Sequence, residues 1–464
     1  MKRVFLETYG CQMNVADSEL MAGVLERAGM ELVTSPEDAD AVILNTCAIR
    51  EHAELRVLGR LGEFAHLKSK NPDLIVGVAG CMAQHLRKRL LEQKRDHKRV
   101  LDLVVGPDGY RNLPDLLRRA ANVPTAEIRL DRDETYGDLE PKRQPGVRAW
   151  ITVQRGCDKF CTYCVVPYTR GRERSIPMAD LLTQVRHAAE QGFREIVFLG
   201  QTVNSYHDGT HGFADLVRAA SNVPGVLRLR YTSPHPADMS DELIDAMAEC
   251  DKVMPHVHLP LQSGSDTVLA AMERSYTMER YQRVFDRIRA RVPGVAVSTD
   301  IIVGFPGETE ADFLATADYM RQARFDSAFM FKYSARPDTR SFKLPETVSE
   351  DEKGRRLQHL IDQQHQISGE IMDGYLGREV EVLVDGPSWA AKGGKPNQAG
   401  KPARADATPQ LHGKSREFKT VVWSDDGSEP GTLQRVRIVG ATPVTLLGES
   451  VRVPRPDPLV LIGG

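Results

Sequence analysis

No uninterrupted apolar run in the 464-residue sequence approaches the ~18 to 20 residues that a membrane-spanning helix needs, so no helical span is expected. The start, MKRVFLETYGCQMN, has no apolar stretch after its basic residues, and no export signal is expected. An excess of positive charge is missing as well. Lys and Arg number 61 against 64 Asp and Glu, a net charge of −3, so any affinity for nucleic acid must come from local patches. Tandem repeats with a solenoid period are absent. Cysteine is scarce, and its seven copies are an odd number in a chain without an export signal. That argues against a disulfide framework and for reduced thiols in the cytoplasm.

What is present is a rhythm. In the first ~120 residues the runs VFLETYG (4–10), AVILNTC (41–47), LIVGVAG (74–80) and LDLVVG (101–106) alternate with helical patterns, which predicts a parallel α/β sheet. From Ala149 the rhythm resumes in WITVQRG (150–156), EIVFLGQTV (195–203), LRLRYTS (227–233), HVHLPLQ (256–262), VAVSTDIIVG (295–304) and SAFMFKYS (327–334). Six βα units in series suit an incomplete (β/α)6 barrel better than an open sheet. In either, functional groups belong at the carboxyl ends of the strands. A helix with Ser349 and Glu352 as a capping box follows. REVEVLV (378–384), KTVVW (419–423) and QRVRIVG (434–440) then predict a small β-barrel. The expected division is 1–121, an α/β domain; 122–146, a linker; 147–375, the barrel unit; 376–449, the small β-barrel with an inserted loop at 388–412; and 450–464, a tail.

Six of the seven cysteines fall into two triads. Cys157, Cys161 and Cys164, in RGCDKFCTYC, follow the first barrel strand directly, where a reactive site is expected. A zinc site wants a second pair of ligands, and no second CxxC lies downstream. An iron–sulfur cube held by three thiolates instead keeps one iron open for a small molecule. Cys11, Cys47 and Cys81 are 36 and 34 residues apart, too far to be a linear motif. Each, however, closes a different predicted parallel strand, so the sheet would gather them along one edge, against the simpler alternative of unrelated buried thiols. Cys250, in the helical DELIDAMAEC, is read as core.

CxxxCxxC after the first strand of a βα series resembles the radical S-adenosylmethionine superfamily. With YGCQMN, NTCAIRE, GCMAQ, GCDKFCTYCVVPYTRGRERS, HLPLQSGSD and STDIIVGFPGET, the chain resembles the methylthiotransferases of that superfamily over nearly its entire length. The resemblance implies two 4Fe-4S clusters and S-adenosyl-L-methionine. Cys157, Cys161 and Cys164 would hold the cluster that generates a radical, and Cys11, Cys47 and Cys81 an auxiliary cluster bearing the sulfur to be transferred. Implied domains are a methylthiotransferase N-terminal domain, a radical S-adenosylmethionine core and a TRAM-like RNA-binding barrel. Implied chemistry is methylthiolation of tRNA at C2 of N6-(dimethylallyl)adenosine, just 3′ of the anticodon at position 37. CVVPYTRGRE favours this branch; the alternatives are sisters acting on threonylcarbamoyl-adenosine or a ribosomal protein, or a non-catalytic iron–sulfur RNA-binding protein. Thr202 stands where the family usually has Asn.

Gly200 and Gln201, at the second strand end, and Gln262 and Asp300, ending the fourth and fifth, are expected to contact the cofactor. His256 and His258 share a strand face and are read as barrel packing rather than metal ligands. Arg170, Arg172 and Arg174, beside the reactive loop, are expected to meet the RNA backbone. The basic stretch 85–99 reads equally as a solvated helix face or an RNA contact, and 388–419, with seven Lys/Arg against Asp406 and Glu417, as a salt-sensitive RNA tether. Expected partners are tRNA, a one-electron reductant and a sulfur donor protein, with no membrane and a monomeric chain.

Overall fold

AVILNT and IVGVAG are apolar at nearly every position rather than alternately, which suits strands covered on both faces, and both are buried throughout. In the computed structural model, which describes residues 2–47, 51–87, 89–92, 94–95, 98–388 and 409–451, they lie at the centre of a six-stranded sheet. Its order is Glu31–Val33, Arg3–Tyr9, Ala41–Thr46, Ile75–Gly80, Leu103–Val105 and Thr125–Glu127, all parallel. The two outermost strands go beyond the sequence reading. Each is three residues long, too short for a periodic pattern, and Thr125–Glu127 falls in the stretch read as a linker. Nor is the rest of that stretch free of the domain: Tyr136 is buried, stacks on Tyr110 and donates to the Pro107 carbonyl.

The six expected barrel strands are present as Arg148–Thr152, Glu195–Leu199, Arg228–Tyr231, His256–His258, Ala296–Val303 and Ser327–Lys332. They pair in two parallel ladders of three, joined by a bridge between Leu229 and Val253. No pairing joins the first strand to the sixth among the described residues, so the barrel is incomplete. Alternation sorts the faces. Ile151, Ile196, Phe198, Val257, Val297 and Ile301 are buried in the core shared with the surrounding helices. Arg148, Trp150, Val197, Arg230, His258, Ser298, Asp300 and Phe329, on the opposite parity, line the barrel's inside.

Helix Glu350–Asp373 begins where Ser349 Oγ accepts from the Glu352 N–H, as expected. The reciprocal half of the capping box does not form, because the Glu352 carboxylate is taken by Arg355 and Arg356, three and four residues on. Beyond it, Glu379–Pro387, Gln410–Ser415, Thr420–Ser424, Thr445–Ser450 and Leu433–Ala441 close into a five-stranded barrel around Trp423. This small barrel seals the amino-terminal end of the larger one. Arg228 and Arg230 donate to the carbonyls of Lys414 (2.6 Å) and Ser415 (2.8 Å), and Phe418 packs on His256 with ring centroids 4.9 Å apart. The carboxyl-terminal mouth is thereby left for the cysteines. Most of the inserted loop and of the tail lies outside the described residues. The basic stretch 85–99 is not one helix: Cys81–Leu86 ends at Arg87, φ +54°, before the short Arg89–Glu92, and Lys94–Arg95 then pairs antiparallel with Lys98–Arg99. No helix of the described residues is long and apolar enough to cross a membrane.

Candidate active site

The first barrel strand runs on through Gln154–Arg155 into the cysteine loop, and the turn depends on Gly156. Its φ is +78°, and a Cβ there would lie 2.0 Å from the Arg172 carbonyl oxygen, so only glycine lets the two backbone segments approach this closely. Fully buried Gln154 then ties the loop to the second strand end. Its Nε2 donates to the Gly156 carbonyl (2.7 Å), and its Oε1 accepts from the N–H groups of Gln201 (3.0 Å) and Thr202 (3.3 Å).

Around the loop each thiol has a distinct setting. Cys157 Sγ lies 3.3 Å from Thr202 Oγ1; burial raises its pKa, and the Thr202 contact opposes the shift. Arg274 Nη1 donates to Cys161 Sγ at 3.3 Å. The Cys164 thiol is pushed up to about 12, by burial first and by the neighbouring Cys161 second. Thiols held neutral in this way are deprotonated when a metal binds, because the metal supplies the missing positive charge.

The sheet gathers the second set of cysteines along one edge. Cys11, Cys47 and Cys81 follow three adjacent strands whose ends are in register, Tyr9 beside Thr46 and Thr46 beside Gly80. A hydrogen bond from Cys47 lowers the Cys11 pKa against the cost of burial, with Arg170 adding to the effect. Helix Gln12–Arg27, which starts at Cys11, lays Met13 and Ala16 on Val197 and Leu199 inside the large barrel, with Cys11 and Trp150 packed alongside. Both triads therefore open on one mouth. Cys81 touches Val165, just past the CxxxCxxC loop. Among the described residues no three His, Cys, Asp or Glu side chains converge as a site for a single metal ion. Two sets of three soft thiolate donors are, by donor type, suited to iron–sulfur chemistry.

Of the expected cofactor contacts, Gln262 ends the fourth strand segment with φ +68°, is buried, and its Oε1 has no hydrogen-bond partner in the protein. Asp300 faces the same interior, with Oδ2 3.1 Å from His258 Nε2. Gln201 needs correction: its Oε1 accepts from the Gly156 N–H at 2.6 Å, so it shapes the cysteine loop rather than waiting for a cofactor amine. Gly200 stands against Gln154 Oε1, where a Cβ would come within 2.9 Å.

The RNA reading of the arginines also fails in two of three cases. Arg170 and Arg174 are 3% and 7% exposed, paired with the fully buried Asp17 and Asp108 (2.7 and 3.0 Å), and so cannot meet a phosphate backbone. Arg172 is exposed but forks onto Asp158. Asp17 also accepts from Arg155 at 2.6 Å, and losing this carboxylate would leave two buried guanidinium groups uncompensated, at a cost of about 3–5 kcal/mol. Sequence reading missed Asp17, Arg155, Arg274 and His235. Only Arg155, a charge beside the cysteine motif at a strand end, carried a local signal. Cys250 packs against the barrel core, as read.

His235 follows the third strand, buried, with Nε2 unpartnered. Burial first, then the charges of Arg274, Lys159 and Arg280, lower its pKa to about 2. The unfolded chain takes up this proton near pH 6.5 and the folded chain does not, so stability contributed above pH 6.5 is lost as the pH falls below it, by about 1.4 kcal/mol per pH unit. Between pH 7.5 and 5.5 the urea midpoint should fall further in the wild type than in His235→Gln.

Two family models match the chain: Uncharacterized protein family UPF0004 over residues 3–106, and the Radical SAM superfamily over residues 151–320. Solved structures share the fold, among them the radical S-adenosylmethionine methyltransferase TsrM from Kitasatospora setae with cobalamin and a 4Fe-4S cluster bound. That chain has TM-score 0.53 and 15% identity, and the match covers 74% of each chain. Relatives named tRNA-2-methylthio-N(6)-dimethylallyladenosine synthase are much nearer. The protein of Chloroherpeton thalassium is 42% identical over 97% of this chain and 96% of its own length, and one from Cereibacter sphaeroides 44% over 97% and 98%. Identity at this level, end to end, joins the amino-terminal cysteine domain and the barrel in a single lineage, and the chain belongs to the tRNA-2-methylthio-N6-dimethylallyladenosine synthase family of radical S-adenosylmethionine enzymes.

Proposed function

We propose that the protein is a tRNA methylthiotransferase that converts N6-(dimethylallyl)adenosine at position 37, 3′ of the anticodon, to its 2-methylthio derivative. The observation that carries this reading is the packing of the Cys11 helix onto the inner face of the first two barrel strands, which puts two thiol triads at one mouth. Cys157, Cys161 and Cys164 would hold one 4Fe-4S cluster and Cys11, Cys47 and Cys81 the other, with S-adenosyl-L-methionine at the first. When bound, these groups supply hydrogen abstraction from the adenine C2, the sulfur and the methyl group. The chain's own residues do the rest. Gln154, Gly156 and Gln201 fix the cysteine loop, Gln262 and Asp300 offer acceptors for the cofactor's ammonium and hydroxyls, and the packed floor of the barrel keeps solvent from the amino-terminal side. A one-electron reductant and a sulfur donor protein complete the cycle, in the cytoplasm and with a monomeric enzyme.

The substrate adenine must leave its stack to enter such a chamber. Phe329 lies on the inner face of the sixth strand, is 53% exposed, and meets His258 edge to face at 5.9 Å. An exposed ring beside the barrel interior suits stacking on the flipped base or its isopentenyl group. Phe329→Ala should raise the KM for tRNA by about 5- to 150-fold, the range expected for losing about 1–3 kcal/mol of stacking. Steady-state assays with an isopentenylated anticodon stem-loop read this directly. The function itself is tested by nucleoside analysis of tRNA from cells lacking the gene. The methylthio group should vanish while the isopentenyl group stays; an unchanged nucleoside profile would remove the assignment.

A further inference from the structure

We propose that Arg170 is a positioning residue of the amino-terminal thiol site, hydrogen-bonded to the Cys81 sulfur and offering further N–H groups to sulfur held beside it. The inference rests on the reading of Cys11, Cys47 and Cys81 as ligands of a sulfur-bearing cluster. Arg170 ends the helix Val166–Arg170 that follows the CxxxCxxC loop, so its place is set by the radical site, yet its side chain belongs to the other. Nε donates to Cys81 Sγ at 3.1 Å, and Nη2 is anchored on Asp17 at 2.7 Å. Nη1 is buried and has no partner in the protein.

Each of these facts narrows the role. A 3% exposed guanidinium cannot bind RNA. As a simple staple between domains it would need only Asp17, which Arg155 and Tyr110 also hold, at 2.6 and 3.4 Å. Instead, its planar fork turns one edge to a thiol and leaves two N–H bonds of Nη1 unmet, and a buried donor without an acceptor is costly enough that a partner is expected. The acceptors available to a loaded site are sulfurs. Hydrogen bonds to the sulfurs of an iron–sulfur cluster raise its reduction potential and orient its ligands. Arg274 has a comparable place beside the other triad, donating to Cys161 from a partly buried position, so each triad has one guanidinium on one of its sulfurs.

The test uses the full chain with Cys157, Cys161 and Cys164 replaced by Ala, reconstituted anaerobically so that only the amino-terminal cluster remains. In this background Arg170 is compared with Arg170→Lys and Arg170→Gln by iron content and by a redox titration followed by electron paramagnetic resonance. All three should hold about four irons, with the midpoint potential shifted negative in Arg170→Gln and by less in Arg170→Lys. Should Arg170→Gln fail to fold or load, Arg170→Lys, which keeps the charge opposite Asp17 but not the fork, carries the comparison. A potential equal to that of the parent in a fully loaded variant would reduce Arg170 to an ion-pair staple and overturn the proposal. Absence of iron from the parent itself would overturn the auxiliary-cluster reading, and this assignment with it.

Discussion

Protein carrying Cys161→Ala, reconstituted anaerobically with iron and sulfide, is expected to keep about four irons per chain where the wild type takes about eight, and to convert no tRNA. The expectation follows from how the loop is built. Gly156 turns the chain where no side chain fits, Gln154 and Gln201 tie the loop to the second strand end, and Arg274 and Thr202 set the surroundings of two of the three thiols. If these three thiols hold four irons, as proposed, the loss of one would leave a cube with two open corners, which is not expected to survive reduction. The second triad belongs to another sheet and should load independently. Iron counting together with assay of S-adenosylmethionine cleavage checks both halves: cleavage should fall to background while half of the iron stays.

The mirror variant, Cys47→Ala, should give the complementary result. Cys47 ends the middle strand of the three that carry the amino-terminal triad, and its thiol holds that of Cys11. Without it the radical-site cluster still forms, so S-adenosylmethionine cleavage should continue at a substantial rate, uncoupled from product. Methylthiolated adenosine should drop below detection with the isopentenylated adenosine left intact. The pair of variants thus separates radical generation from sulfur transfer, and a Cys47→Ala enzyme that still made product at the wild-type rate would remove the second triad from the chemistry.

Why both triads can be read from sequence, and their surroundings cannot, has a physical reason. Cys11, Cys47 and Cys81 are far apart in the chain, but each terminates an apolar run, and parallel strands in one sheet must bring their ends together. The six barrel strands were legible on the same ground. Charges are harder to place. Arg170, Arg172 and Arg174 look alike in sequence, two residues apart beside a reactive loop. Two of them are nonetheless buried, because Asp17 and Asp108, distant in the chain and marked by no motif, lie on the amino-terminal domain pressed against that loop. Gln201 reads as a cofactor contact from its strand-end position, yet the Gly156 N–H, which the turn leaves without a ladder partner, takes its side chain first. The three-residue strands Glu31–Val33 and Thr125–Glu127 are held by their neighbours' backbone rather than by any pattern of their own.

The most direct measurement is the electron paramagnetic resonance spectrum of the reduced Cys11→Ala/Cys47→Ala/Cys81→Ala protein, taken with and without S-adenosyl-L-methionine. One cluster at Cys157, Cys161 and Cys164, with an iron free of protein ligands, predicts a clear change in g-values when the cofactor is added. A spectrum that stays the same at saturating cofactor, or a preparation holding a single zinc in place of about four irons, would contradict the account.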